Sequence, residues 1–183
     1  MKFTKTELDG VILVEPKVFC DNRGDFFESY NEQIFMENGI SNHFVQDNQS
    51  LSSYGVIRGL HCQTGSYAQS KLVRILQGKV LDVVVDIRKN SPTFGKHIAV
   101  ELSKKNRLQL FIPKGFLHGF SVLSETAVFL YKVDNFYNKE SERCIRYDDH
   151  SIGVDWRIPD NKVIVSEKDL LGLRLEDVTD NWF

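Results

Sequence analysis

The stretch from Ser70 to Arg88 constrains the fold most. Lys71, Val73 and Ile75 alternate with Leu72, Arg74 and Leu76, the period of two expected of a half-buried β-strand, because successive side chains leave a strand on opposite faces. Gly78 supplies a turn, and Val80–Arg88 follows as a second strand. It carries Leu81, Val83, Val85 and Ile87 on one face and Asp82, Val84, Asp86 and Arg88 on the other. The second of these faces spaces polar groups along a surface, as the wall of a cavity would.

The same pattern recurs along the chain. Val11–Val18, interrupted by Pro16, reads as an edge strand, since proline cannot donate to a ladder. Asp21, Asn22 and Gly24 form a turn that exposes Arg23 ahead of an aromatic strand at Phe26 and Phe27. Further strands are predicted at Ile98–Leu102, Leu108–Ile112, Phe120–Leu123 and Val128–Val133, with turns at Ser91–Gly95 and Pro113–Gly115. Helical signals are short. One covers Glu32–Glu37, stopped by Asn38 and Gly39, and another starts at Glu167 behind Ser166 as a cap. Short strands separated by turn residues indicate an all-β antiparallel sandwich or barrel with short peripheral helices. The 183 residues contain no repeat, low-complexity tract or linker, so a single domain is expected, with Trp156 as a core anchor in a more irregular last third.

Charge and cysteine content narrow the function. A net charge of −2 provides no field for a polyanion, so neither nucleic acid nor an anionic membrane is an expected partner. No apolar run approaches a membrane span and Met1–Gly10 lacks a signal core, so a cytoplasmic protein is expected. Cys20, Cys62 and Cys144 have no CxxC spacing and read as reduced thiols.

Among five histidines, His61 (in GVIRGLHCQ) and His118 (in IPKGFLHGF) lie beside glycines where a turn enters a strand, a setting in which function concentrates. His43, His97 and His150 lack such company. Two histidines on neighbouring strands raise the possibility of a metal site. There is no HxH, however, no carboxylate follows His61 at short range and Gln63 is a poor ligand, so no metal is expected. Cys62 alternates with His61 and reads as packing. There is no glycine-rich phosphate loop, so side chains such as Arg23, Arg58, Lys71 and Lys168 are left to hold any phosphate.

The segments IRGLH, QSKLVR, VVVDIRKNSPTFGK, IPKGFLHGF, FLYK and SEKD, in this order, closely resemble the dTDP-4-dehydrorhamnose 3,5-epimerase family from about Val11 to Asp169. The resemblance implies a cupin-like antiparallel jelly roll (double-stranded β-helix) with its core at residues 44–148 and an irregular or helical segment at 149–183. It also implies a homodimer that exchanges its N-terminal segment, residues 11–30. The implied substrate is a dTDP-linked 4-keto-6-deoxy sugar, epimerised at C3 and C5 without cofactor or metal to give the keto precursor of rhamnose for surface polysaccharide.

By the same resemblance His61 matches the general base, Asp169 the carboxylate that orients it, Lys71 the lysine near the C4 oxygen with His118 close by, and Tyr131 the acid on the opposite face of the ring. Gln46, Asp47, Asn48, Arg58, Glu142 and Lys168 match nucleotide and diphosphate contacts, and Tyr137 a stacking residue. Arg23 and Glu28 match residues offered to the neighbouring subunit. Departures from the family pattern are Cys62, Leu117 and Phe136, with Leu117 expected to narrow the pocket around His118. A relative that inverts only C3, or that takes another nucleotide or a heptose, would carry the same dyad. A non-catalytic cupin-type sugar-binding module would need no acid and base on opposite faces.

Overall fold

Period-two sequence becomes strand where a second layer is available to bury alternate residues, and here the five-stranded sheet is covered on both faces and the six-stranded sheet on its inner face and part of its outer one. The computed structural model describes residues 1–179 and 182. In chain order the strands are β1 (Lys2–Lys5), β2 (Ile12–Glu15), β3 (Phe19–Asp21), β4 (Gly24–Phe26), β5 (Gln46–Ser53), β6 (Ile57–Gln63), β7 (Lys71–Gln77), β8 (Lys79–Asp86), β9 (His97–Ser103), β10 (Gln109–Ile112), β11 (Phe116–Val122), β12 (Thr126–Val133) and β13 (Glu142–Cys144). Two short helices, α1 (Glu32–Glu37) and α2 (Glu167–Leu170), complete the set with single 3₁₀ turns.

A six-stranded sheet in the order β1-β2-β10-β7-β12-β5 faces a five-stranded sheet in the order β13-β6-β11-β8-β9, and β3–β4 form a separate hairpin. All strand pairs are antiparallel. The architecture is the all-β, cupin-like jelly roll expected from the sequence. Gly78 makes the β7–β8 turn at φ +79, and a Cβ there would meet the Thr126 carbonyl oxygen at 2.0 Å, so no other residue fits.

Three apolar clusters explain the alternation. The first fills the space between the sheets with Val73, Ile75, Val84, Phe116, Phe120 and Phe129 among others. Phe120 and Phe129 stack across it with ring centroids 4.2 Å apart. The second lies outside the five-stranded sheet, where Leu81, Val83, Val85 and Leu117 are sealed by Ile145, Ile152, Trp156, Leu175 and Trp182 of the C-terminal segment. The third packs Val14, Leu72 and Phe111 under Phe35 of α1 and Ile40. Thus β8 alternates between two cores and is buried along nearly all its length. Helix α1 forms over the residues predicted, with Asn31 as its cap accepting from the Ile34 amide.

Three expectations need correcting. β2 is not an edge strand: it pairs with β1 on one side and β10 on the other, and Pro16 lies just past its last paired residue. The N-terminal residues before it supply that edge, and the β3–β4 hairpin is exposed. β11 begins at Phe116 rather than Phe120, which puts His118 inside a strand. Leu117 points away from His118 into the second cluster, as its alternate position in β11 requires, and does not line the pocket.

The polar face of β8 does not form a cavity wall. Asp82 points to the interior, whereas Asp86 turns to the 91–93 loop, accepting from Ser91 Oγ and Thr93 Oγ1 at 2.6 Å each and from Arg88. Burial opposes its ionisation, but these donors prevail and hold its carboxyl at about 2. Arg88 stacks over the Phe116 ring at 4.4 Å instead of entering the pocket. Among the described residues no helix is long and apolar enough to cross a membrane.

Candidate active site

At one end of the sandwich the interior is not filled, and a cavity of about 680 Å³ opens between the sheets. That is within the usual range for small-molecule sites. β6 and β11 contribute Arg58, His61 and His118 from the five-stranded sheet. β5, β7 and β12 contribute Asn48, Lys71, Phe129 and Tyr131 from the other, and α2 adds Lys168 and Asp169. The parity of each strand determines this. Lys71 shares its face with Val73 and Ile75, and Tyr131 pairs with Asn48 and Val73, so these polar groups continue the apolar interior toward solvent.

His61 and His118 are cross-strand neighbours on β6 and β11. Gly59 and Gly119 let these strands approach: a Cβ on Gly59 (φ +129) would lie 2.6 Å from the Gly119 Cα. Each imidazole takes a carboxylate remote in sequence. His61 Nε2 lies 2.7 Å from Asp169 Oδ1, and His118 Nε2 lies 2.9 Å from Asp82 Oδ2.

Asp169 is presented by α2, whose cap Ser166 accepts from the Asp169 amide at 3.2 Å. Burial alone would raise Asp169, but the bond to His61, the imidazole's charge and the Gly59 amide leave its carboxyl below the ordinary range. An ionised carboxylate only accepts, so His61 donates from Nε2, and in the neutral ring the lone pair then lies on Nδ1. Cys144 Sγ lies 3.8 Å from the same oxygen, Asp169 Oδ1. Burial pushes the Cys144 thiol up to about 12.

The opposite wall is tuned in the other direction. Burial raises the Tyr131 hydroxyl above its normal value, which keeps it protonated at neutral pH. Burial lowers Lys71, partly offset by the fields of Cys62, Asp82 and Glu142. On the same wall as His61, burial lowers His118 as well, against the pull of Asp82.

The remaining sequence candidates separate into three groups. At the cavity edge Glu142 accepts from both Tyr137 Oη, at 3.0 Å, and Lys168 Nζ. Gln46 donates to Asn48 at 2.9 Å on the same face of β5, while Arg58 Nε donates to Ser52 Oγ at 3.1 Å. Asp47 is on the opposite face of β5, paired with Lys132 at 2.9 Å, and lies outside the cavity. Arg23 and Glu28 are also remote from their own chain's cavity. Arg23 sits on the hairpin tip bound to Asp21, and Glu28 accepts from Asn31.

Gln63 is structural, accepting from the Asn138 amide. His43 is an exposed partner of Glu32. Sequence reading did not pair Asp82 with His118 or bring Cys144 to the dyad. The first had a signal, a lone carboxylate among valines on β8; the second had none.

Fold and cavity define the class: a cupin-like jelly-roll enzyme whose sugar-sized site is assembled from both sheets and closed by a C-terminal helix. The chain belongs to the dTDP-4-dehydrorhamnose 3,5-epimerase family, whose model matches residues 5–177. The Shigella flexneri dTDP-4-dehydrorhamnose 3,5-epimerase is 52% identical over 97% of both chains. The crystal structure of the Elizabethkingia anophelis NUHP1 enzyme superposes with a TM-score of 0.93 at 56% identity, covering 97% of each chain. A Legionella pneumophila Philadelphia 1 epimerase, solved in complex with dTDP-4-keto-L-rhamnose, gives a TM-score of 0.93 at 45% identity over 97% of this chain and 94% of that one.

Proposed function

We propose that the protein epimerises C3 and C5 of dTDP-4-keto-6-deoxy-D-glucose to give dTDP-4-keto-L-rhamnose, working in the cytoplasm. The observation that carries this reading is the His61–Asp169 contact of 2.7 Å on one wall of a cavity whose other sheet presents Tyr131. The C4 carbonyl acidifies the hydrogens on C3 and C5. His61 Nδ1 takes one as a proton, the C–H pair moves into the C4 enolate, and Asp169 stabilises the imidazolium.

Lys71, with His118 close by, stands beside the position of the enolate oxygen, where an aimed donor is worth roughly 3–4 kcal/mol. Tyr131 returns a proton to the opposite face of the ring, which inverts the centre. Electrons are conserved at carbon, so the reaction requires no redox partner. Arg58, Lys168, Glu142 and Tyr137 at the mouth, with Gln46 and Asn48, suit a nucleoside diphosphate. A homodimer in which the β3–β4 hairpin brings Arg23 and Glu28 to the partner's cavity fits the exposure of Phe19 and Phe26 on that hairpin.

Proton NMR of the substrate in deuterated buffer tests the reading. Exchange at both C3 and C5 is expected, and exchange at C3 alone would assign a single-centre epimerase instead. With Tyr131→Phe, exchange persists while product formation stops; loss of exchange and binding together would remove Tyr131 from the role of acid. Sedimentation of a stable, active monomer would exclude the exchanged dimer.

A further inference from the structure

Three ligating atoms converge behind the dyad. His61 Nε2 lies 2.7 Å and Cys144 Sγ 3.8 Å from Asp169 Oδ1, and one ligand atom from each of the three residues falls within 4.8 Å of the others. They come from β6, α2 and the end of β13, where Cys144 pairs directly with His61 across the ladder. The cavity reaches two of them, His61 and Asp169.

We propose that this trio is a binding site for a thiophilic divalent cation of the zinc class, and that occupation switches the dyad off. One nitrogen, one sulfur and one oxygen, with a fourth position left for water, match the donors and the open tetrahedron such an ion takes, and suit magnesium or calcium poorly. With metal–ligand bonds of about 2.0–2.3 Å, tetrahedral ligand atoms sit roughly 3.3–3.7 Å apart. The Cys144–Asp169 separation of 3.8 Å is close to that span. The His61–Asp169 separation of 2.7 Å has to widen by roughly 0.6 Å.

Binding has a definite proton balance. A coordinated thiol is deprotonated, so the Cys144 proton is released to water. The metal takes the Nε2 lone pair, so the hydrogen that Nε2 donates to Asp169 moves to Nδ1. The imidazole stays neutral, but the nitrogen that faces substrate now carries a hydrogen and no lone pair. Inhibition therefore follows from tautomer exchange alone. Only the inhibition rests on His61 being the base; the site itself does not.

The test is titration of the full-length protein with cobalt(II) and cadmium(II) ions alone, read as the thiolate-to-metal charge-transfer band in the ultraviolet, alongside epimerase activity with zinc and its recovery on adding a chelator. A band that is kept in Cys20→Ser but absent in Cys144→Ala and in the isosteric Cys144→Ser is expected. Cys144→Ala should also raise the zinc concentration for half-inhibition by more than about tenfold, the lower end of what even an outer-shell partner is worth. A wild-type protein with no band, or a band that survives both Cys144 substitutions, overturns the site. A Cys144-dependent band with undiminished turnover supports the site and removes His61 from the role of base.

Discussion

Two histidine–aspartate pairs stand side by side on neighbouring strands, and they differ in burial far more than in geometry. The His61 side chain is 27% exposed and Asp169 only 5%, whereas His118 and Asp82 are 7% and 0% exposed. The first pair has a buried carboxylate and an imidazole with one nitrogen open to the cavity, suited to moving a proton. The second is enclosed with one carboxylate oxygen, Asp82 Oδ1, lacking a hydrogen-bond partner, and is suited to holding a ring in place. A buried pair is costly to break, because the surviving member is left unsatisfied in low dielectric. One side-chain combination thus serves as reagent at the cavity edge and as scaffold a strand away.

The sharpest way to break this contrast is His61→Ala. Turnover should fall by about 10²–10⁴-fold, the usual share of a positioned acid–base group, with the melting temperature nearly unchanged. Turnover within tenfold of wild type would end the distinction. Asp82→Ala should do the reverse, with urea unfolding showing a loss of about 3–5 kcal/mol and the rate per folded molecule falling less than in His61→Ala.

Asp86 provides a control outside both pairs. Its folded-state pKa of about 2 lies below the unfolded value of 3.8. The contribution is therefore present above pH 3.8 and lost as pH falls from 3.8 toward 2, and it amounts to about 2 kcal/mol at 1.36 kcal/mol per unit. Asp86→Asn should be destabilised by that amount at pH 7 and should lose the corresponding acid limb in urea titrations run between pH 2 and 5. The smallest effect is expected of Ser166→Ala, about 1 kcal/mol for a lost cap. It should appear as a modest fall in turnover, because the capped turn aims Asp169 at His61.

Much of this was legible in the sequence where period and spacing are local. The alternation of Lys71, Val73 and Ile75 placed these side chains on one face of β7, and Glu32–Glu37, stopped by Asn38 and Gly39, marked α1. His61 stood out for its glycine-flanked turn. Asp169 and Tyr131 had no such local mark. Their positions relative to His61 depend on how the two sheets and the C-terminal segment pack, and only the resemblance to a family pointed to them.

The edge reading of Val11–Val18 failed because proline forbids pairing only at its own amide. Two residues earlier, at Val14, the ladder is intact on both sides, and the preceding Lys2–Lys5 forms the edge instead. The polar face of β8 was read as one surface, but a strand that ends at a loop can turn its last carboxylate to that loop, as Asp86 does.

The segment that seals the outer core of the five-stranded sheet also carries α2 and therefore Asp169. In order of synthesis His61, Lys71, His118 and Tyr131 all leave the ribosome before it. Until that late segment docks, the imidazole lacks its carboxylate, so completion of the outer core and arming of the base are a single folding event. Catalytic competence then reports that the C-terminal segment has found its place.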